Sequence, residues 1–438
     1  MKIGMRCVAS YMCCAVLLGT AEVSGQWTQW GGPNRDFKVS TSALTEKWPE
    51  DGPPRLWRRE LGEGYSTIVV DDGVLYTMYR ASPTDETERV VALDAGTGKT
   101  VWEHESPSAY TERMTNYGPG PHSTPLIVGS RLFTVGTNAV LHCFDKDTGR
   151  VLWKGDLAKE YGAVVPWFGY ASSPVAYKNL IILQADRPRT NQRDGYYVDP
   201  TEDAPANTEG KEQSVMAFDQ ASGDLVWKSL DVRVDYAAPL MITFNGEAQV
   251  VFLMHAEVIG LNPETGGMLW RVPVEPVPTE NISTPIWDGT DTLFVSAAYN
   301  SGSRGIKLTK QGDQTVAKEV WYSRKMRIHH GNAVLVGNYV YGSSGDVAAA
   351  LFGCVDIETG KLLWRTRDFK KANCVCADGK LIILDEDGQL AIATATPGGL
   401  TVHSSFKLVD GRAWTVPTLA GKTLYVRDRK HIMALDLG

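Results

Sequence analysis

One column of this 438-residue chain collects side chains that can stack, hydrogen-bond or ligate: Tyr65, His122, Ala171, Tyr236, Ile282, His330, Lys371 and Trp414. Each stands just ahead of a short run of small and apolar residues, and six of the eight are aromatic, imidazole or cationic. Tyr170 and Asn281 flank the column, and Trp167, Phe168 and His329 crowd beside it. Gathered around one opening, such groups would hold a planar ligand or an extended peptide. The plainer alternative is that bulky rings plug the opening they surround. Metal chemistry fits less well. His122 and His330 belong to distant repeats, whereas one ion needs both imidazole nitrogens within about 2.1 Å. His329 and His330 are adjacent, and on a strand they would point to opposite faces. The acidic runs Asp71-Asp72-Gly73 and Asp385-Glu386-Asp387-Gly388 lack the alternating ligands of a calcium loop and read as hairpin turns. No G-x-S-x-G, H-E-x-x-H, P-loop or C-x-x-C signature is present, so no catalytic residue is assigned.

What positions this column is a repeated phrase. ALDAGTGKTVW at 92–102 returns as CFDKDTGRVLW at 143–153, AFDQASGDLVW at 217–227, GLNPETGGMLW at 260–270 and CVDIETGKLLW at 354–364. In all five a Trp follows the Asp or Asn by eight residues. Worn copies stand around Leu308 and Ala393, with Trp321 and Phe406 as later aromatics, and a last copy, ALDLG, ends at Gly438. A phrase recurring at this interval marks a repeat architecture. Strand-like runs opening near 66, 123, 172, 237, 283, 332, 373 and 415 give the same count of eight. Alternating apolar residues between tight Gly/Asn/Asp turns describe antiparallel strands joined by hairpins.

The eighth copy lacks its Trp strand, and PRLWRREL at 54–61 supplies one with no repeat before it. Pairing the two closes a ring and removes two sheet edges. The expected fold is therefore all-β: an eight-bladed β-propeller of four-stranded antiparallel blades, closed by an N-terminal strand that completes the C-terminal blade. Residues 55–438 form the propeller at roughly 48 residues per blade. In the phrase, Asp94, Asp145, Asp219 and Asp356 are read as Asx-turn acceptors. The following Gly supplies positive φ. Trp57, Trp102, Trp153, Trp227, Trp270, Trp321 and Trp364 form a structural girdle between blades.

Three segments lie outside this rhythm. Residues 1–25 read as a secretory leader: Lys2 and Arg6, an apolar stretch from Cys7 to Leu18, then Val23-Ser24-Gly25 before Gln26. The apolar run is short for a bilayer span of about 20 residues, so no transmembrane segment is expected after cleavage. Residues 26–54 form an extension that packs on the ring. Residues 185–213 are a polar insertion in the third repeat that would flap over one face. Cys143, Cys354, Cys374 and Cys376 follow the leader, and the first two fill a column held elsewhere by Ala92 and Ala217, as packed thiols would. Net charge is −7 with no basic patch, which argues against nucleic acid.

The A-x-D-x-x-T-G-x-x-x-W phrase in eight copies resembles the PQQ-like β-propeller repeat family over residues 55–438. That family includes quinoprotein alcohol dehydrogenases and the non-catalytic BamB-like propellers of outer-membrane protein assembly. The resemblance implies, for the enzymes, a vicinal Cys-Cys over the quinone and a calcium ion beside a catalytic Asp. Here the adjacent cysteines, Cys13 and Cys14, lie in the leader, and no Asp falls in a matching motif. The resemblance therefore implies a non-catalytic binding or scaffolding module, exported to the periplasm or cell envelope, with a protein or peptide partner and no cofactor. The alternatives are a quinoprotein-like oxidoreductase binding PQQ and calcium, and a glycan-binding propeller using the aromatic column.

Ring closure is directly testable. Deleting residues 26–61 is expected to leave an open, association-prone ring, detected by size-exclusion chromatography and circular dichroism. A truncated chain that stays folded and monomeric would contradict closure.

Overall fold

The computed structural model describes residues 26–116, 118–186, 213–274, 280–299, 301–346 and 350–438. The leader and nearly all of the 185–213 insertion lie outside the described residues. Eight sheets follow one another along the chain, each with four antiparallel strands laid down from the inner strand outward, and the seventh gains Lys38–Val39 as a fifth, parallel strand. Blade 1 comprises Val69–Asp71, Val74–Tyr79, Thr87–Asp94 and Thr100–Pro107. Blade 8 contributes Thr418–Ala420, Thr423–Arg427 and His431–Asp436, and Arg55–Glu60 joins as its outer strand, with Trp57 opposite Ala434 and Glu60 opposite His431. The ring thus closes as the truncated eighth phrase requires. Among the described residues, helix is confined to Glu112–Asn116 and Leu157–Tyr161.

Burial explains the residue pattern. A blade is covered on both faces by its neighbours, so middle strands such as Leu180–Gln184 and Thr292–Ala297 are buried throughout and read as continuous apolar runs. Outer strands such as Thr100–Pro107 are half exposed and alternate. The residue before each girdle Trp is a β-bulge: the ladder steps from Val151–Phe144 to Trp153–Cys143 and skips Leu152, and Leu56, Val101, Val226, Leu269, Val320 and Leu363 are skipped in the same way. The extra residue turns the Trp inward and leaves its own side chain outside. That is why apolar residues such as Val101 and Val226 are about half exposed. Each Trp faces a small residue across the ladder: Ala92, Cys143, Ala217, Gly260, Gly305, Cys354 or Ala434. The column of Cys143 and Cys354 owes its small size to this pairing, and all four cysteines outside the leader are free thiols.

The seam between blades is built from the phrase itself. Trp102 of blade 1 donates Nε1–H to the Lys146 carbonyl in the turn of blade 2 at 2.7 Å. Trp57, Trp153, Trp227, Trp321 and Trp364 likewise donate to Ala95, Gln220, Pro263, Ile357 and Thr396 of the next blade. The indole face lies on the turn glycine. At Gly149 (φ +70°) a Cβ would come within 2.6 Å of the Trp102 ring, and Gly98 and Gly223 meet Trp57 and Trp153 in the same manner. The glycine is therefore required twice, for positive φ and for close approach. Asp219 and Asp356 accept from the backbone two residues on, as an Asx-turn requires, and every phrase Asp also accepts from the residue three on. Asp94 Oδ1 accepts from both N and Oγ1 of Thr97, and Asp145 does so from Thr148.

Two seams differ. Blade 5 replaces the turn with long strands, Gly302–Gln311 and Gln314–Ser323, and Trp270 of blade 4 bonds to Gln249 Oε1 within its own blade. In blade 7 the ladder places Ser404, not Phe406, at the girdle position. Ser404 Oγ accepts from Trp48 N and donates to Glu46 O, so the N-terminal extension lies along this outer strand. Upstream, the same extension enters the central channel. Trp27 bridges Val70 of blade 1, and Thr28 O accepts from Ile127 N of blade 2. Trp30 Nε1 donates to Thr284 Oγ1, and Arg35 donates to the carbonyls of Pro239 and Pro174. Lys38–Val39 then pairs in parallel with Cys376–Ala377 of blade 7. One strap therefore ties the inner strands of six blades before becoming the closing strand.

Replacing Gly149 with Ala is expected to cost about 2–4 kcal/mol, combining αL strain with a clash against Trp102. In a Trp102→Ala background the same change should cost only about 1 kcal/mol. Urea unfolding of the four proteins of this double-mutant cycle measures the coupling. Equal costs in both backgrounds would show that the ring does not rest on the glycine.

Candidate functional site

The chain path separates two faces. Every turn that carries the phrase, and every inner hairpin turn, lies at the end where inner strands finish. The connections between blades lie at the other end, together with both helices. The sequence column precedes each inner strand and so rims the channel on this loop face. The strap fills the opposite end, where it meets Val70, Ile127 and Ala377.

At the loop face four of the singled-out residues form one stack. Tyr65 lies with ring centroids 5.3 Å from His122 and 5.2 Å from Trp414, and His330 lies 4.4 Å from Trp414. His329 and Tyr299 extend the series at 4.9 and 5.2 Å. The adjacent histidines do not point apart. They sit in the loop before Ala333–Val336 rather than on the strand, so their Nδ1 atoms approach to 2.9 Å, and His329 Nε2 lies 3.2 Å from the Tyr299 hydroxyl. Arg412 caps the stack, its guanidinium 4.3 Å from the Trp414 centroid, while Trp414 Nε1 donates to Glu386 Oε2. Neither Arg412 nor Glu386 stands in the column: Arg412 lies two residues ahead of Trp414 in the connection between blades 7 and 8, and Glu386 lies in the hairpin between the second and third strands of blade 7. The phrase GRAWT, with Arg two residues before Trp414, was the available hint.

The remaining candidates are placed differently. Tyr236 is buried, 6.1 Å from Phe168, and its hydroxyl accepts from Phe168 N. Asn281 is buried and ties the mouth together by donating to the Met254 and His255 carbonyls. Tyr170 is buried, donates to Gln184 O, and lines an enclosed cavity of about 10 Å³ shared with Tyr236. Lys371 is half-buried, burial lowers the pKa of its ammonium, and its carbonyl accepts from Glu386 N. Tyr170 and Asn281 thus shape the mouth from beneath, while Tyr65, His122, His330 and Trp414 form its stacked wall.

The imidazoles are held neutral. Burial lowers the pKa of His122 to about 4. His329 is also lowered to about 4, by burial and then by Lys371. Burial, His329, Lys371 and Arg412 push His330 well below its ordinary value. Although the rings reach the surface in part, Nε2 of His122 and of His330 is enclosed and has no hydrogen-bond partner among the described residues. Along the channel, the ring series stands at the loop-face end, and Trp30, Arg35 and Phe37 of the strap stand toward the other. The acidic turns are also committed. Asp385 accepts from the backbone of Lys370, Asp387 and Gln389, and Asp71 pairs with Lys146. Among the described residues no three His, Cys, Asp or Glu side chains converge as a metal site.

Fold and repeat chemistry define an eight-bladed PQQ-like propeller with an asymmetric pair of faces. Residues 86–366 match the family described as outer membrane protein assembly factor BamB, and the chain belongs to that family. It is 24% identical over 452 residues to the outer membrane protein assembly factor BamB of Burkholderia pseudomallei (strain K96243), covering 97% of each chain. It is 22% identical over 231 residues to the quinohemoprotein alcohol dehydrogenase ADH IIB of Pseudomonas putida, spanning only 29% of that enzyme. BamB from Moraxella catarrhalis superposes with a TM-score of 0.60 at 17% identity, over 87% of this chain and 97% of that one. The quinohemoprotein alcohol dehydrogenase of Comamonas testosteroni gives 0.61 at 11%, over 96% and 82%. These superpositions share the fold alone.

The neutral histidines make stability pH-dependent. His142, between blades 1 and 2, is likewise lowered to about 4 by burial, then by His104 and Lys154. An unfolded His titrates near 6.5, so between about pH 6.5 and 4 the unfolded chain binds more protons. Stability contributed by these groups is present above that window and is lost as pH falls through it. At pH 5, unfolding should take up about three to four protons from His122, His142, His329 and His330. The pH slope of urea stability measures this uptake. His330→Gln should reduce it by about one proton, and an unchanged slope would show that His330 is protonated in the fold.

Proposed function

We propose that this chain is an exported, non-catalytic docking propeller of the cell envelope, which holds a protein partner of outer-membrane assembly on its loop face. The observation that carries the reading is the match to a BamB over 97% of both chains. The face asymmetry supports it. The turn face is consumed by Trp–Gly seams and by the strap, whereas the loop face bears variable connections and the mouth. In this reading Tyr65, His122, Tyr236, His330, Lys371 and Trp414 offer rigid rings and donors to an extended segment, and Tyr170 and Asn281 hold that surface in shape. No helix among the described residues is long and apolar enough to cross a membrane. Delivery by the leader would then leave the propeller in the periplasm.

The quinoprotein reading keeps one supporting observation, the similarity of about half the chain to a quinohemoprotein alcohol dehydrogenase. The packed channel axis counts against it. Titration with PQQ and calcium, followed by quinone absorbance, separates the readings: stoichiometric binding would overturn the docking proposal.

Affinity capture from an envelope fraction is expected to retain outer-membrane assembly components, identified by mass spectrometry. The Tyr236→Ala/Trp414→Ala double variant should weaken that capture at least about tenfold, the scale of losing two aromatic anchors. Capture of no assembly component would overturn the partner class. Unchanged capture by the double variant would return these rings to a plug.

A further inference from the structure

The two connections that flank blade 6 differ from the others in charge. Residues 324–332 lead from blade 5 into blade 6, and residues 367–371 lead from blade 6 into blade 7. Together with Arg365, near the end of blade 6's outer strand, they carry Arg324, Lys325, Arg327, Arg367, Lys370 and Lys371. Asp368 is the one acid in these stretches, and Asp346 in the intervening hairpin of blade 6 is a second. Seven cations against two acids make this sector positive by five in a chain of net charge −7. The stretches 61–68, 107–122, 156–171, 229–236 and 274–282, which make the same passage between other blades, each hold at least as many acids as cations. At 407–414 and the adjoining hairpin of blade 7 the charges are mixed.

The backbone of blade 6 brings its two connections together. Ser344 Oγ accepts from Arg327 N at 2.9 Å, and Gly345 N donates to Arg327 O at 2.8 Å. One residue back, Ser343 Oγ donates to Lys370 O at 3.1 Å and accepts from Ala372 N at 3.0 Å. Three consecutive residues therefore separate the inner parts of the two cationic stretches. The acids are already engaged: Asp346 is matched by Arg327 at 3.5 Å, and Asp368 Oδ2 accepts from Thr366 Oγ1 at 2.6 Å. Lys325, Arg365, Arg367 and Lys370 are exposed and form no ion pair among the described residues.

Four solvated cations on long stems define no fixed cradle, so they favour a partner whose charges can rearrange to meet them. Headgroup phosphates of a fluid bilayer do so, and each Lys or Arg near such a surface strengthens binding about fivefold. A single acidic segment would have to leave one connection and pass Asp346 to reach the other. Tyr322 is a second, independent indication. It stands one residue from the end of blade 5's outer strand, is 40% exposed, and its hydroxyl accepts from Arg324 Nε at 3.0 Å. An exposed ring with a polar tip beside cations suits the boundary between headgroups and acyl chains. The acidic remainder of the chain is repelled by the same surface, which orients the molecule with blade 6 toward it.

We infer that the blade 6 sector of the loop face binds the surface of an anionic lipid bilayer through Lys325, Arg365, Arg367 and Lys370. The inference goes beyond the docking reading and takes from it only the envelope setting, in which a bilayer is at hand.

The test uses the full mature chain and co-sedimentation at low salt with sucrose-loaded vesicles, of phosphatidylcholine alone or of phosphatidylcholine and phosphatidylglycerol at about two to one. Binding to the anionic vesicles should be at least about tenfold tighter, an advantage that salt removes. Arg365→Gln/Arg367→Gln/Lys370→Gln should weaken it at least about tenfold. Lys99→Gln/Arg150→Gln/Lys361→Gln, at exposed positions of the turn face, makes the same change in net charge and should leave binding intact. Thermal melts verify the fold of both variants. Equal binding of the two vesicles overturns the inference, as does undiminished binding by the blade 6 variant. So does tighter binding of a fluorescein-labelled alternating Glu-Ser decapeptide than of the anionic vesicles, which assigns the sector to an acidic protein segment instead. A chain that captures assembly components but ignores the vesicles loses this inference alone. One that binds the anionic vesicles but captures no assembly component loses the docking reading alone.

Discussion

The structure depends on one contact repeated around a ring: an indole of one blade laid on a glycine of the next, with Nε1–H bonded to the neighbouring turn carbonyl. Both halves are needed. The hydrogen bond fixes the height of the ring at the seam, and the bare glycine lets the π-face approach to contact distance. The β-bulge before each Trp aims the indole at that seam, and the small residue across the ladder leaves room for it. Four sequence features several residues apart therefore serve one interface. Selection on that interface produces a repeated phrase even though none of its residues meets a ligand.

A ring of equivalent seams must still be closed, and closure joins residues from opposite ends of the chain. The ladder of Arg55–Glu60 on His431–Asp436 does this at the rim. The strap does it again along the axis. Arg35 shows how firmly the axis is filled: it is buried, makes its bonds to blade carbonyls and Gln29, and burial lowers its pKa to about 9, which still leaves it charged at neutral pH. A buried cation bonded through Nε and one terminal nitrogen to carbonyls from blades 4 and 3 is costly to uncouple once in place. The seam that lacks a girdle Trp, at Ser404, is the one the strap overlies. Rim and axis are thus closed by a single continuous segment, with the substitution at Ser404 accommodated along its path.

Much of this fold was legible in sequence because its determinants are local and periodic. Phrase spacing gave the blades, and the missing eighth Trp gave the closure. The less legible features depend on register or long-range contact. Ser404 and Phe406 are separated by one residue, and only the bulged ladder shows which occupies the girdle position. The two histidines at 329–330 would diverge on a strand, but the strand begins three residues later, at Ala333. Of the site, the column identified the ring-bearing positions but not their mutual stacking, which brings together blades 1, 2, 6 and 8. Arg412 and Glu386 escaped because an aromatic column carries no information about what caps it.

The division of labour between the faces follows from the same geometry. Residues of the turn face are constrained by neighbours on both sides: a change in a T-G turn is felt by the preceding blade's Trp and by its own hairpin. Connections on the loop face carry no such repeated contact, so they can differ in length, charge and composition while the ring stays shut. An eight-bladed frame can therefore be common to assembly factors and to alcohol dehydrogenases without implying a shared ligand. On this frame the local features are a mouth walled by packed rings and an axis entered by the N-terminal strap. A small ligand seeking the axis meets packed side chains. In the docking reading proposed above, an extended segment crossing the loop face would meet preformed rings, and the residues that are free to differ are the ones that would select it.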